Sequence, residues 1–466
     1  MKQFDLIVIG AGPGGYPAAI RGAQLNASVA MVEKEQFGGT CLNWGCIPSK
    51  ALIAAAETYH NFNHVAPLGI TTTGVALNYG TLIANKNQTI AMLRAGIRQL
   101  LSANGVQQFN GVAQFIDAHT LQVIGAGESQ HIRGNKIIIA TGSTSLEPGF
   151  LPQHERVVES RKFLDRVHLP KSLIILGGGF IGCEIACMAA KLGVVVTLVE
   201  LLPDILANLD LDVRNEVRMG MEKNLKIRIM TGKAAHNCRA DGEKVTVEVG
   251  GEELSSDLLL NATGRKPVTE GLELNRAGLS TNARGFIEAD LNCRTRVPHI
   301  FAIGDVTGKL QLAHYATAQG IIAAENAVTG ALRTHATLVP SVIFTSPEVG
   351  AVGLTEQEAK QKNRAVNIGK FRYAALGKSL AVAKTCGFAK LIADAETDQL
   401  LGAAVVGAHA TELLAEATVA IRAELTSREV AGTIHAHPTF SEIWMESAHQ
   451  VHGEAIHAAP TRRVVS

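Results

Sequence analysis

Two stretches of this 466-residue chain follow one plan, and that plan constrains the fold more than any other feature of the sequence. Phe4 to Ile9 reads as a buried strand. Gly10-Ala11-Gly12-Pro13-Gly14-Gly15 and a helical stretch to about Leu25 follow, and a second strand, Ser28 to Val32, ends at Glu33. The order recurs as the strand Ser172 to Leu176, the turn Gly177-Gly178-Gly179-Phe180-Ile181-Gly182, a helix to about Leu192, and a strand Val194 to Val199 ending at Glu200. In each copy the acid stands 18 residues past the last glycine (33 − 15 and 200 − 182). This is the dinucleotide-binding arrangement: glycines make the tight turn and let phosphate approach the helix N-terminus, and the acid takes the ribose hydroxyls. A lone glycine triplet carries little weight. Two triplets in matching frames favour two Rossmann-like units over two unrelated glycine turns.

The second constraint is Gly39-Thr40-Cys41-Leu42-Asn43-Trp44-Gly45-Cys46-Ile47-Pro48-Ser49-Lys50. On an ideal helix, residues five apart sit about 8.6 Å apart at Cα, whereas a disulfide needs less than about 7 Å. Cys41 and Cys46 can therefore bridge only if the chain between them leaves regular helix, and Gly45 helps it bend. Pro48 suits a first helical turn, so a regular helix is expected from about Ile47 or Pro48. Cys46 then lies at its N-terminal edge, where the helix dipole and Lys50 favour a thiolate. The motif reads as a redox-active disulfide held against a flavin. The alternative is two free, buried cysteines, which the glycine-rich frame disfavours.

This position assigns the cofactors. The cysteine segment begins a few residues after Glu33, so the first unit holds the group that exchanges electrons with the disulfide. A nicotinamide nucleotide must come and go while flavin stays, so FAD belongs to the first unit and the nicotinamide to the second. Glu200 suits a free 2′-hydroxyl and repels a 2′-phosphate. The next basic residue is Arg214, so NAD is favoured over NADP. Ile137 to Ser143 reads as a strand entering a tight turn at Gly142. Leu259 to Arg265, with Gly264, looks like its counterpart near the second cofactor. Ile300 to Asp305 is a strand ending in an acid placed to meet the flavin's ribityl or phosphate region.

Composition excludes other classes. The net charge of +1 gives no footprint for nucleic acid or an anionic membrane. The glycine-rich run Leu173 to Ala190 carries Glu184 and does not suit a bilayer, and Asp5 with the glycines at 10, 12, 14 and 15 breaks any signal-peptide pattern. Seven cysteines in a chain of this length make no secreted framework, so a cytoplasmic enzyme is expected. With the first strand at the start of the sequence, no attached lipoyl domain is expected ahead of it. No metal site is expected: His449, His452 and His457 are spaced poorly for one helix face and read as surface or interface histidines. Cys183 and Cys187 read as buried small side chains. Pro17 is expected to kink the first helix. From about residue 338, strands at Ser341–Phe344, Phe388–Ala393 and Leu400–Val406 and an amphipathic helix at Glu412–Glu424 suggest an α+β domain.

These residues, with the run His435-Ala436-His437-Pro438-Thr439-Phe440-Ser441-Glu442, resemble the pyridine nucleotide–disulfide oxidoreductases over essentially the whole chain. The resemblance implies an α/β chain with two Rossmann-like dinucleotide-binding domains and an α+β C-terminal dimerisation domain. Its divisions are an FAD domain at 1–145, an NAD domain at 146–267, a central domain at 268–337 and an interface domain at 338–466. It implies a homodimer in which one subunit's interface domain completes the other's active site. Cys46 would be the thiol nearest the flavin and Cys41 the interchange thiol. His437 would be the acid–base catalyst, oriented by Glu442. FAD contacts would fall at Gly10, Gly12, Gly15, Glu33, Gly39, Thr40, Lys50, Ala113, Gly142, Asp305 and Ala313. NAD contacts would fall at Gly177, Gly179, Gly182, Glu184, Glu200, Gly264 and Arg265, with Glu184 also pairing with Lys50.

The implied reaction oxidises protein-bound dihydrolipoyl groups with NAD⁺. The partner would be a lipoyl-bearing acyltransferase of a 2-oxo acid dehydrogenase complex or a glycine-cleavage carrier protein. Two alternatives stand beside it. An NAD(P)H-driven reductase of another small disulfide is disfavoured by the missing arginine after Glu200. A flavoprotein serving only as a structural subunit is disfavoured by the intact cysteine and histidine sets.

Overall fold

The computed structural model describes residues 1–62, 65–127 and 129–458. The first sheet begins with the parallel strands β1 (Lys2–Ile9), β2 (Val29–Glu33) and β3 (Gln107–Asn110), and continues through β4 (Val112–Phe115), β5 (Thr120–Ile124) and β6 (Gln130–Ile139) in the order β3-β2-β1-β6-β5-β4. β6 runs parallel to β1, with Ile7 beside Ile137 and Ile9 beside Ile139, while β5 is antiparallel to it. These central strands are apolar on both faces because helices cover one, and β4, β5 and the segment 272–287 cover the other. α1 (Gly15–Gln24), α2 (Gly39–Trp44), α3 (Cys46–Phe62) and α4 (Tyr79–Ala103) follow from this unit.

The expected kink at Pro17 is absent. α1 starts at Gly15, so Pro17 lies in the first turn, where no intrahelical partner is lost. The Pro13 carbonyl that would face residue 17 instead accepts the Thr317 hydroxyl at 2.8 Å.

β7 (Ser143–Ser145) leads out of this sheet into the second. The second sheet uses β8 (Val157–Glu159), β9 (Ser172–Leu176), β10 (Val195–Glu200), β11 (Arg228–Thr231) and, after the antiparallel ribbon β12 (Ala235–Ala240), β13 (Val245–Val249) and β14 (Glu252–Ser256), also β15 (Leu258–Asn261). Its order is β11-β10-β9-β15-β8, all parallel. α5 (Ser160–Leu164), α6 (Phe180–Lys191) and α7 (Leu211–Met219) belong to it. Cys183 and Cys187 are buried and unpaired on α6, and burial pushes both thiols up, that of Cys187 to about 12.

The segment 268–337 forms no sheet of its own. After β16 (Arg265–Pro267), which pairs with β7, its strand β17 (Ile300–Ala302) joins β6 of the first sheet, and α8 (Ala313–Thr329) packs on α1. That packing is close: a Cβ at Gly320 would lie 2.2 Å from the Gly14 carbonyl oxygen.

The C-terminal unit is an antiparallel sheet of β18 (Ser341–Ile343), β19 (Glu348–Gly353), β20 (Val366–Arg372), β21 (Phe388–Asp394) and β22 (Leu400–Gly407). With it come α9 (Glu356–Gln361), α10 (Gly377–Ala381), α11 (Ala410–Arg422), α12 (Ser427–Gly432) and α13 (Glu442–Val451). It is pinned to the second unit through Lys390, whose fully buried ammonium meets Asp210 at 2.8 Å, Asp212 at 2.9 Å and Glu356 at 2.6 Å. These three carboxylates are therefore already gathered around a cation. Among the described residues no helix is long and apolar enough to cross a membrane.

Candidate active site

The two glycine loops match atom for atom. A Cβ at Gly10 (φ +98°) would meet the Ala140 oxygen at 2.4 Å, and one at Gly15 the Gly10 oxygen at 1.8 Å. In the second loop, a Cβ at Gly177 (φ +109°) would meet the Ala262 oxygen at 2.3 Å, and one at Gly182 the Gly177 oxygen at 1.9 Å. The first and third glycines are thus required by the turn and by helix–strand contact. The middle ones are not: Gly179 has nothing within 4 Å, and Gly12 has only the Gly39 Cα at 3.9 Å. That leaves a bare backbone cradle at a helix N-terminus, which fits a pyrophosphate.

The acids also match. Glu33 accepts the N–H groups of Ala11 and Glu35, both at 2.7 Å, and Glu200 accepts those of Gly178 and Leu202. Each side chain ties the loop to the end of its strand, and burial holds the Glu33 carboxyl above its usual range. Gly142 (φ +73°) and Gly264 (φ +149°) occupy matching positions after Ala140 and Ala262, both facing open space.

Cys41 lies in α2 and Cys46 opens α3. Gly45 (φ −136°, ψ −106°) breaks the helix between them, and the two Cα atoms come to 4.6 Å in a disulfide. The expected departure from regular helix is concentrated in that one residue, so α3 starts a residue earlier than expected. Gly39 seats α2 against the first loop: a Cβ there would lie 2.6 Å from the Gly12 Cα. Asn43, which the sequence reading passed over, fixes the same junction. It is buried, donates to the Phe37 and Gly39 carbonyls at 3.0 and 2.9 Å, and accepts from Arg94 at 2.9 Å. A polar residue between two cysteines in an otherwise apolar turn was the available signal. Trp44 lies under the Arg161 guanidinium at 3.7 Å, and Arg161 is also paired with Glu35. Thr40 is exposed beside Cys41.

Lys50, one turn into α3, donates to Glu184 at 2.7 Å and lies 4.4 Å over the Phe344 ring. Glu184 also accepts the Phe344 N–H at 3.0 Å. Asp305 accepts the Ser143 hydroxyl at 2.5 Å, and Arg265 donates to the Ser143 hydroxyl and carbonyl, each at 2.7 Å. Arg265, expected beside the second nucleotide, is brought to Ser143 because β16 pairs with β7. Ala313 is the first residue of α8, and Ala113 is buried in β4.

In the C-terminal unit, the His437 Nδ1 and Glu442 Oε1 are 2.8 Å apart, and the second Glu442 oxygen accepts the Thr439 N–H at 2.8 Å. Burial alone would raise the Glu442 pKa. The hydrogen bonds from His437 and Thr439 outweigh it, so the carboxyl titrates below its usual range. The His437 side chain is 75% exposed in the single chain. Two further pairs surround this one. His435 meets Glu416 at 2.6 Å, and His457 meets Glu446 at 2.7 Å. His452 meets the Ser427 hydroxyl at 2.8 Å. No sequence spacing announced these partners, since they come from other elements.

Two nucleotide cradles and a disulfide at the mouth of one of them define a flavin- and nicotinamide-dependent disulfide oxidoreductase. Residues 4–320 match the family model described as pyridine nucleotide-disulphide oxidoreductase, and residues 339–448 match that family's dimerisation domain. The chain belongs to this family, whose members use FAD and NAD, and the dimerisation domain indicates a homodimer. It is 40% identical over 465 residues to the dihydrolipoyl dehydrogenase of Chlamydia muridarum, covering 99% of this chain and 100% of that protein. It is 42% identical over 464 residues to that of Thermus scotoductus, covering 98% and 99%. The solved structure of LpdA from Mycobacterium tuberculosis superposes with a TM-score of 0.90 at 26% identity, covering 97% of this chain and 100% of that one.

Proposed function

We propose that this protein oxidises protein-bound dihydrolipoyl groups to lipoyl groups and reduces NAD⁺ to NADH. The carrying observation is the Cys41–Cys46 disulfide, set at a helix break against the Gly12 loop. A substrate thiolate attacks the Cys41 sulfur, and the Cys41–Cys46 bond breaks with Cys46 leaving as thiolate. The second substrate thiol, deprotonated by His437, attacks the mixed disulfide, so lipoyl leaves oxidised and both cysteines are left reduced. When bound, FAD supplies the two-electron relay from the thiol pair to NAD⁺.

The start of α3 stabilises the Cys46 thiolate, since the orphan N–H groups of its first turn face that sulfur's end of the helix. Lys50 adds a cation on the same helix, held in place by Glu184. Glu442 fixes the His437 tautomer with Nδ1 protonated and Nε2 bare, the form that can accept a thiol proton. His437 is exposed in the single chain, which suits a base supplied across the dimer to the partner's disulfide. Gly10, Gly12, Gly15, Glu33, Gly39, Thr40, Lys50, Ala113, Gly142, Asp305 and Ala313 would hold FAD. Gly177, Gly179, Gly182, Glu184, Glu200, Gly264 and Arg265 would hold NAD. The carrier is a lipoyl-bearing acyltransferase or glycine-cleavage carrier protein, met in the cytoplasm.

Steady-state turnover with free dihydrolipoamide tests the reading. Turnover with NAD⁺ well above that with NADP⁺ is expected. No turnover with NAD⁺ overturns the function, and equal rates with both overturn only the role of Glu200.

A further inference from the structure

Leu42, Asn43 and Trp44 separate Cys41 from the break at Gly45, and each is anchored separately. Leu42 is buried in the core beside Phe37, Ile90 and Ile97. Asn43 is saturated: its amide donates to the Phe37 and Gly39 carbonyls, and its oxygen accepts Arg94 Nε–H from α4 at 2.9 Å. Trp44 is met from the second unit, where the Arg161 guanidinium carbon on α5 stands 3.7 Å from its ring centre. Arg161 also pairs with Glu35 of the first unit at 2.5 Å. Glu159 secures the start of α5 by accepting the Arg161 and Lys162 N–H groups at 2.8 and 3.0 Å.

α2 has six residues, too few to persist as a helix by themselves. Successive helical residues turn by about 100°, so Leu42 and Trp44 project about 200° apart, to nearly opposite sides. Trp44 shares its face with Cys41, three residues before it. The short helix is therefore gripped from two sides, and the second grip closes beside Cys41. None of these contacts passes through the disulfide.

We propose that the Arg161–Trp44 stack, with the Arg94–Asn43 bond, keeps α2 seated when the Cys41–Cys46 bond opens, so that Cys41 stays beside Cys46 and the bond re-forms readily. This rests on the reading of that pair as the redox disulfide. Arg161, Trp44 and Arg94 are positioning residues, since they act through Cys41. On reduction, a dithiol gives two electrons and two protons to the Cys41–Cys46 bond and closes to its own cyclic disulfide. A loosened α2 would hand the reduced state a conformational freedom that the bridged state lacks, and so favour reduction. A brace independent of the bridge withholds that freedom and favours the closed bond.

The test equilibrates the FAD-loaded homodimer, without oxygen, in mixtures of reduced and oxidised dithiothreitol. Alkylation and mass spectrometry then count the Cys41 and Cys46 thiols. Arg161→Met keeps an apolar stem and removes the guanidinium. It should be half reduced at a reduced-to-oxidised ratio about two- to fivefold below that of the parent, the size of one exposed cation–π contact. That is about 10–20 mV at about 30 mV per tenfold. Trp44→Leu should shift the ratio equally, and combining the two should add nothing, because both break one contact. Arg94→Met should shift it in the same direction. Amide hydrogen exchange over 39–45 should match in the oxidised and reduced parent, and should quicken in Arg161→Met only after reduction.

An unmoved ratio in Arg161→Met overturns the proposal. So does exchange that quickens equally in its oxidised and reduced forms, which is the mark of a merely structural contact. If Arg94→Met does not fold, Arg161→Met decides the matter, its parent side chain being 44% exposed. A parent that dithiothreitol reduces and dihydrolipoamide does not would refute the function proposed for the disulfide and leave the brace standing.

Discussion

Glu442→Gln changes almost no volume, yet it should disable His437. In the native chain one Glu442 oxygen accepts His437 Nδ1–H and the other accepts the Thr439 N–H, each at 2.8 Å. The Thr439 amide is a main-chain donor and cannot change character. A glutamine must offer it the carbonyl oxygen, because the reverse orientation sets two donors against each other. The amide NH₂ then faces His437 Nδ1, which is forced to accept. The proton moves to Nε2, the nitrogen that had to be bare to take a thiol proton. General-base catalysis is worth about 10²–10⁴-fold. A fall of roughly 10²–10³-fold in kcat/KM is therefore expected, or about 3–4 kcal/mol of barrier at 1.36 kcal/mol per tenfold. Glu442→Ala removes the acceptor without supplying a wrong donor, and His437, exposed in the single chain, can then choose its tautomer. The truncation should do no more damage than the isosteric change. The assay is dihydrolipoamide-dependent NAD⁺ reduction by the FAD-loaded homodimer. Its control is NADH oxidation by a small one-electron acceptor, which bypasses the disulfide and should be unaffected. Activity of Glu442→Gln within about threefold of the parent, or a Glu442→Ala variant clearly worse than Glu442→Gln, would refute the tautomer argument.

Three further outcomes are expected. Gly179→Ala, placing a methyl where nothing lies within 4 Å, should fold normally and raise KM for NAD⁺ on the order of tenfold, about 1.4 kcal/mol. Gly177→Ala, at φ +109° and 2.3 Å from a carbonyl oxygen, should instead lower the thermal midpoint, and similar behaviour of the two variants would count against the loop reading. Lys390→Met leaves Asp210, Asp212 and Glu356 without their shared cation and should destabilise the junction by about 3–5 kcal/mol at neutral pH, seen as faster thermal inactivation. Although burial works to raise it, the Asp212 pKa is held below the usual aspartate value by Lys370 and Lys390. Its stabilisation is therefore present above the unfolded pKa and lost as pH falls through the depressed one. The gap between parent and Lys390→Met should narrow on acidification, and a gap independent of pH contradicts the assignment. Cys46→Ser should abolish dihydrolipoamide turnover while leaving NADH oxidation by a one-electron acceptor, and loss of both would point to a folding defect.

What the sequence made legible is what the backbone enforces locally. The glycines at 10, 15, 177 and 182 are demanded by contacts within their own strand–turn–helix units or by the neighbouring strand. The break between Cys41 and Cys46 follows from their five-residue spacing once they bridge, and it occurs at Gly45. Illegible features depend on distant partners. Pro17 sits undisturbed because Thr317 takes the carbonyl it leaves free. Arg265 reaches Ser143 because a short ribbon, β7 with β16, carries it there. His435 owes its two acceptors to Thr433 and to a glutamate on another helix, and nothing in the His-Ala-His spacing distinguishes it from a spare ligand or a surface residue.

The two loops, so alike at their first and third glycines, differ at the second, and that difference bears on which nucleotide stays. Beside Gly12 stands the Gly39 Cα, brought there by the start of α2, so the first cradle is walled by the segment that carries the disulfide. Gly39 must itself be glycine for the wall to stand so close, and Asn43 braces it through the Phe37 and Gly39 carbonyls. The second loop is met at Gly178 instead, by Ile205 and by the Leu206 N–H, and nothing lies within 4 Å of Gly179. On the proposed assignment, a resident group in the first cradle would lie between the loop and the start of α2, whereas an exchanging one in the second would meet an opening at Gly179.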